Sequence, residues 1–111
     1  MTVRLTSRLL VSAMIRSVEG LGGHAAVLAK GDETAGAIVI ALAERGRALR
    51  LLERSLGPDG DYRWAPCGPE PDEEGAAVRD YIARRRGFDP DLWVVELDLP
   101  DAEAILDDMG V

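Results

Sequence analysis

The sequence has one cysteine, one histidine and one lysine, and these scarcities exclude several classes of protein. Because Cys67 is alone, no intrachain disulfide can form, and we expect a reducing, cytoplasmic compartment. His24 has no second histidine or cysteine at ligand spacing, so no zinc site is expected. No uncharged stretch is longer than that from Thr34 to Ala43, whereas a membrane span needs about twenty apolar residues.

Positive charge is also scarce, and the deficit lies at one end of the chain. Thirteen Lys and Arg residues face twenty Asp and Glu residues, so the formal net charge is -7. From Glu96 onward there are acids but no Lys or Arg, which leaves residues 1–95 close to neutral. Because an acidic surface repels phosphate backbones and anionic lipids, we expect neither nucleic acid nor membrane as a partner.

The residues that are present indicate one folded domain. Hydrophobic residues make up 47% of the chain and charged residues 30%, which is unlike the composition of disordered chains. A chain of 111 residues buries a core without disulfides or metals. We therefore predict a single domain over residues 1–111.

The first half of the chain has one helical pattern followed by strand patterns. Over residues 8–21 the apolar side chains share one arc of a helical wheel, and Thr6 or Ser7 can cap the start. The predicted strands lie in three segments and around two aromatic residues: His24–Lys30, Ala35–Ala43, Ala48–Leu56, and Tyr62 with Trp64. The apolar run Ala35–Ala43 is typical of a central strand covered on both faces. The short turns between these segments predict an antiparallel meander.

The second half alternates helix and strand. Pro66–Pro71 breaks the strand pattern, and a helix is predicted from about Asp72 to Arg86, with Asp72 as cap and Gly87 at its end. A β-branched strand is predicted over Leu92–Leu99. The apolar face of a short final helix consists of Ala102, Ile105, Leu106 and Met109. We predict an α+β fold in which two packed helices and a short C-terminal helix accompany a mostly antiparallel sheet, a meander of about five strands.

Three adjacent arginines, Arg84 to Arg86, are the cluster that most resembles a binding site. Their guanidinium groups can grip a phosphate or carboxylate, and they also complement the negative end of a helix dipole. Arg85 projects among apolar side chains on the helical wheel, so it needs an acidic partner. The candidate partners are Asp89, Asp91 and Glu96. Arg85 is therefore either half of a buried ion pair or an anion-binding residue.

Three further residues are candidate binding residues: Arg63, Trp64 and Trp93. Tryptophans are usually part of the core, and where exposed they mark an interface. The segment from Trp64 to Pro69 is similar in sequence to the thioredoxin active site. That site needs a second cysteine to resolve the mixed disulfide, and this segment has only Cys67, so no redox role is expected. We predict no catalytic residue, no metal ligand and no cofactor.

Two segments carry a resemblance to a known family. The first begins Arg4-Leu5-Thr6-Ser7 and continues to Ala13, and the second is Phe88-Asp89-Pro90-Asp91-Leu92-Trp93-Val94-Val95-Glu96. With these segments, and the helix around Tyr81–Arg84 between them, the chain resembles a bacterial family catalogued as domain of unknown function 1491. The resemblance implies a small, single-domain bacterial protein. It implies no activity, substrate or catalytic residue, because the family is uncharacterised.

The expected function follows from the absence of a catalytic constellation and from the open edges of a meander. We predict a cytoplasmic, non-enzymatic protein-interaction or regulatory module that forms a homodimer or binds a protein partner. The alternative is a small-molecule or anion-binding protein, or an enzyme, centred on Arg85 with Arg63 and the Trp64 loop. This alternative predicts that these side chains converge on a concave pocket.

Overall fold

The computed structural model describes residues 5–109 as three helices and one five-stranded sheet. The helices are α1 (Ser7–Gly20), α2 (Ala76–Phe88) and α3 (Ala102–Met109). The strands are β1 (His24–Ala29), β2 (Ile38–Glu44), β3 (Arg47–Leu56), β4 (Tyr62–Cys67) and β5 (Trp93–Asp98). The predicted α+β class with a mostly antiparallel sheet is confirmed. Residues 1–4 and 110–111 of the predicted domain lie outside the described residues.

The strand order is β1-β5-β2-β3-β4, so the prediction of a simple meander is wrong. Strand β5 lies between β1 and β2, antiparallel to β1 and parallel to β2. The physical reason is burial, because Trp93, Val94, Val95 and Leu97 are all buried and point alternately to the two faces of the sheet. In the interior of the sheet such a strand lies between α1 and α3 on one face and α2 on the other, so both of its faces are covered. Helix α2 makes this possible by carrying the chain from the edge strand β4 back across the sheet.

One face of the sheet is covered by α1 and α3. Leu10, Met14 and Val18 of α1 and Leu106 of α3 pack against alternate side chains of β2, β3 and β5. Helix α1 begins as predicted, because the Thr6 hydroxyl accepts a hydrogen bond from the Leu9 N–H at 3.2 Å. The amphipathic stripe predicted over residues 8–21 is therefore what attaches α1 to the sheet.

Helix α2 covers the opposite face above Val39, Leu51 and Val94. It begins at Ala76, later than the predicted Asp72, although an Asp72 carboxylate oxygen still accepts from the Ala77 N–H at 3.2 Å. The expectation that Gly87 ends this helix is wrong, since the helix continues to Phe88. With helices on both faces, β2 is buried on both sides, as its apolar sequence predicted.

Strand β4 continues through Pro66 to Cys67, so the expectation that Pro66 breaks the strand is wrong. Proline cannot donate a hydrogen bond to a neighbouring strand, and it is tolerated on an edge strand whose N–H would face solvent. β4 is an edge strand, and Pro66 is paired in register with Leu52 of β3. The proline therefore indicates an edge of the sheet and not the end of a strand.

The loop of residues 31–37 fixes the start of β5. The Asp32 N–H donates to the Asp91 carbonyl at 3.0 Å, and the Asp32 carbonyl accepts from the Trp93 indole N–H at 2.7 Å. The Ser7 hydroxyl donates to the Gly36 carbonyl at 2.6 Å. This loop thus joins the beginning of α1 to the segment that precedes β5.

Candidate functional site

Arg85 of α2 lies at the edge of the core, as predicted, but its partner comes from a different part of the chain. Its Nη1 donates to Glu53 Oε2 at 3.0 Å and to the Tyr81 hydroxyl at 2.7 Å. Glu53 belongs to β3, thirty-two residues away in sequence. The expectation that Asp89, Asp91 or Glu96 supplies the carboxylate is therefore wrong. Arg85 forms an ion pair that joins α2 to the sheet.

The groups around Arg85 are partly buried, and their pKa values reflect this. Burial raises the pKa of the Tyr81 hydroxyl. Burial also opposes the charge on Arg85, but hydrogen bonds to Tyr81 and Glu53 outweigh it and raise the pKa of the guanidinium. Both groups therefore keep their protons at neutral pH. The Arg85 side chain is 30% exposed and that of Glu53 is 39% exposed, so the ion pair remains in contact with solvent.

Cys67 completes this cluster from the end of β4. Burial raises the pKa of its thiol, and a hydrogen bond with Tyr81 opposes the rise without cancelling it. The thiolate is the form of cysteine that attacks disulfides and binds metals. A cysteine at the end of a strand with a raised pKa is suited to packing against α2, where it lies beside Leu51 and Tyr81.

The other predicted binding residues occupy different surroundings. Trp93 is 3% exposed and belongs to the core under α1 and α3. Trp64 is partly buried against the same core, and its indole N–H has no hydrogen-bond partner among residues 5–109. Arg63 is exposed and forms an ion pair with Asp59 in the turn before β4. Two of these residues thus contribute to the core, and one holds a turn.

Arg85 and Trp64 lie on opposite faces of the sheet. Glu53, which binds Arg85, is paired in register with Ala65, so its side chain points to the α2 face. Trp64 alternates with Ala65 along β4 and points to the α1 face. The predicted residues are therefore not brought together in one cavity. Ligand binding by any of them stays a prediction.

The ion pair of Arg85 gives a prediction for stability. Replacing Arg85 with methionine leaves Glu53 without its cation and removes the hydrogen bond to Tyr81. We expect the free energy of unfolding to fall by about 1 kcal/mol, because partial exposure weakens the pair. Urea denaturation measures the change. Arg84→Met is the control, since Arg84 is its exposed neighbour, and an equal loss in both variants would contradict the assigned role.

Strand β1 presents an open edge. Among the described residues, no strand lies beside it on the side away from β5. Its sequence contains no Asp, Glu, Lys or Arg, and Val27 and Leu28 are 42% and 54% exposed. An unpaired row of backbone N–H and C=O groups next to apolar side chains is the form of edge that pairs with another strand. We call His24–Ala29 with its outer backbone groups the β1 edge.

The opposite edge of the sheet is protected. Strand β4 contains Pro66, which has no N–H, and Arg63, which is charged and exposed. Arg54 of β3 lies over the Tyr62 ring at 4.1 Å, which adds a second charge near this edge. Proline and charged side chains are common protections against edge pairing. The two edges therefore differ, because within residues 5–109 the β1 edge carries neither proline nor a charged side chain.

A groove of about 700 Å³ lies where β2 ends, β3 begins and α3 passes over the sheet. Leu42, Leu49 and Leu99 line it, and we call it the leucine groove. Its carboxylates come from three separate parts of the chain: Glu44, Glu70, Asp101, Glu103 and Asp107. Sequence reasoning did not find this groove. The acidic residues near the C-terminus indicated some of its negative charge. No pattern in the neighbouring sequence, however, predicts that this segment lies beside Glu44 and Leu49.

The described residues show neither a metal-binding cluster nor a membrane-spanning helix. Within residues 5–109, no three His, Cys, Asp or Glu side chains are grouped so that they could hold a metal ion. No helix in this range is both long and apolar enough to cross a membrane.

Comparison with known proteins gives one family. A family model described as "Protein of unknown function (DUF1491)" matches residues 5–107. No curated protein matches the chain.

Solved structures give the same result. The crystal structure of a DUF1491 family protein from Caulobacter crescentus CB15 is 32% identical in sequence and has a TM-score of 0.78, with 89% of this chain and 92% of that chain covered. An NMR structure from the same organism is 33% identical, with a TM-score of 0.75 and 91% of each chain covered. The solution structure of protein Atu0922 from A. tumefaciens is 35% identical, with a TM-score of 0.67 and 87% of each chain covered.

Proposed function

The chain belongs to the DUF1491 family, for which no function is known, and from this premise we propose that it is a non-enzymatic protein-interaction module that forms a homodimer through the β1 edge. The observation that carries the proposal is the contrast between the two edges of the sheet. The β1 edge has exposed apolar side chains and no charge, whereas the β4 edge has proline and arginine.

A second copy of the chain is the partner that fits this edge best. In a two-fold symmetric interface the same surface must complement itself. An uncharged strand meets this condition, because antiparallel pairing of β1 with its copy places no like charges opposite each other. The result is one continuous sheet through both copies.

The size of the edge predicts a weak dimer. The register of β1 with β5 shifts between Val27 and Ala29, so a bulge at Leu28 interrupts the six-residue strand. Interfaces that bury little area are usually weak and transient. Each copy also carries a net charge of -7, which opposes association at low salt. We therefore expect a dimer that forms more completely at high protein concentration and at higher salt.

A charge placed on the edge tests the proposal. In Val27→Lys, antiparallel pairing brings two lysines close to each other, and we expect dimerisation to weaken by about tenfold or more. Size-exclusion chromatography with light scattering over a range of protein concentrations measures the effect. The control is Leu9→Lys, which places the same charge on an exposed leucine of α1.

Two results would contradict the proposal. The parent protein could remain a monomer at every concentration and salt tested, or Val27→Lys could dimerise as well as the parent protein. Circular dichroism checks that both variants keep the fold. This is expected because Val27 and Leu9 are 42% and 47% exposed.

The origin and location of the protein are part of the same proposal. The similar solved structures are of proteins from Caulobacter crescentus and A. tumefaciens, which supports a bacterial origin. The single cysteine supports the cytoplasm, where thiols stay reduced.

A further inference from the structure

The leucine groove combines an apolar wall with carboxylates that mostly lack partners. Leu49 is 43% exposed although it is a large apolar side chain within a strand. The register of β2 with β3 shifts at this point, from Leu42 opposite Arg50 to Ala43 opposite Ala48, so Leu49 is the extra residue of a bulge. Bulges change the direction of a side chain. Here the bulged residue lines the groove.

The charge in the groove is strongly negative. Five carboxylates line it together with one cation, Arg50, which forms an ion pair with Glu103. Within residues 5–109, Glu44, Glu70, Asp101 and Asp107 have no Lys, Arg or His nitrogen within 4.0 Å. Glu44 lies opposite Arg47 in the register of β2 with β3, but none of the four acids forms an ion pair within the described residues.

The spacing of the acids decides what kind of cation fits. No three of the described carboxylates are close enough together to hold a metal ion. Acids distributed along a groove instead match several separate positive charges on one ligand. Because Leu42, Leu49 and Leu99 line the same groove, a ligand that fills it also presents an apolar group. A protein segment with alternating basic and apolar side chains meets both requirements.

We propose that the leucine groove binds a basic, leucine-containing segment of a partner protein, with its Lys or Arg side chains on Glu44, Glu70, Asp101 and Asp107 and its apolar side chain on Leu49. This surface is separate from the β1 edge, and the proposal does not depend on dimerisation. Because association of opposite charges is screened by salt, binding weakens as salt concentration rises. Dimerisation through β1 has the opposite salt dependence.

A matched set of synthetic peptides tests the groove. The first peptide contains lysine, arginine and leucine, the second has serine in place of leucine, and the third has glutamate in place of the basic residues. We expect the first to bind in isothermal titration calorimetry at low salt, the second to bind about fivefold more weakly, and the third not to bind. Absence of binding by the first peptide at low salt would overturn the proposal.

Variants of the protein locate the binding. Glu70→Gln combined with Asp107→Asn removes two groove charges, and we expect about tenfold weaker binding of the first peptide. Glu73→Gln combined with Asp80→Asn is the matched control, because it removes the same charge from exposed residues outside the groove. Equal loss in the two double variants would mean that net charge alone attracts the peptide, and would overturn the assignment to the groove.

The apolar contribution is tested separately. Leu49→Ser shortens the exposed leucine of the bulge, and we expect about fivefold weaker binding of the leucine peptide and no change for the serine peptide. Leu9→Ser is the control on α1. If spermidine, a flexible polycation without side chains, competes as strongly as the leucine peptide, the groove recognises positive charge alone and the proposed protein ligand is wrong.

Discussion

Replacing Gly31 with alanine is expected to lower the free energy of unfolding by about 3 kcal/mol, because the added methyl group has no space. A Cβ at Gly31 would lie 2.0 Å from the Asp91 carbonyl oxygen and 2.7 Å from Cδ1 of Trp93. The same carbonyl oxygen lies 2.3 Å from a Cβ built at Gly36. Both glycines allow the loop of residues 31–37 to approach the backbone before β5.

The loss of stability in Gly31→Ala arises because the backbone of the loop cannot move without breaking its hydrogen bonds to the segment before β5. To make room, the loop must separate from Asp91, which breaks the Asp32 N–H bond to that carbonyl and displaces the acceptor of the Trp93 indole N–H. Both bonds hold the start of an interior strand. A side-chain clash could be relieved by a new rotamer, but a clash with a carbonyl oxygen requires the chain itself to shift.

Gly87→Ala is the matched control. Apart from its chain neighbours and the backbone of its own helix, no atom of residues 5–109 lies within 4 Å of a Cβ built at Gly87, and the residue is within α2. Because alanine favours a helix over glycine, this variant is expected to gain about 0.5 to 1 kcal/mol. Chemical denaturation of both variants measures the two changes. A Gly31→Ala protein as stable as the parent would contradict the close approach of the loop to Asp91.

Leu10→Ala is expected to lower the free energy of unfolding by about 3 kcal/mol, since it removes buried methyl groups and leaves a cavity. Leu10 is 2% exposed and lies in the core between α1 and the sheet. Leu9→Ala makes the same chemical change one residue earlier, where the leucine is 47% exposed. The control is expected to change stability by less than about 1 kcal/mol.

The comparison between these leucines tests the orientation of α1. Thermal and urea denaturation measure both variants, and the slope of the urea transition shows whether the native state stays compact. If Leu9→Ala costs as much as Leu10→Ala, then the two leucines are equally buried and the orientation assigned to α1 is wrong.

The segment that most resembles the family, Phe88–Glu96, has a structural role here. The Asp91 carbonyl accepts from Asp32, an Asp89 side-chain oxygen accepts from the Asp91 N–H at 3.2 Å, and Leu92 is fully buried. The segment ends α2 and begins β5. The residues of this segment by which the chain resembles its family therefore build the fold.

Several elements were predictable because their signal is local. The apolar stripe of residues 8–21 specifies one buried helix face, and the continuous apolar run before Glu44 specifies a strand covered on both sides. The position of Arg85 at the edge of the core also followed from helical periodicity. Its partner did not, because Glu53 belongs to another strand and nothing near either residue indicates the pairing.

Whether a segment forms a helix or a strand and where the acidic residues lie are properties of neighbouring residues, and so the amino-acid order alone determined them. The place of β5 between β1 and β2, the unprotected β1 edge and the leucine groove were decided by tertiary packing. The physical reason is that a strand with apolar side chains on both faces is buried where helices cover both sides of the sheet, which is its centre here. Because β5 lies between β1 and β2, β1 is an edge strand, and its side chains, which include no Asp, Glu, Lys or Arg, are partly exposed.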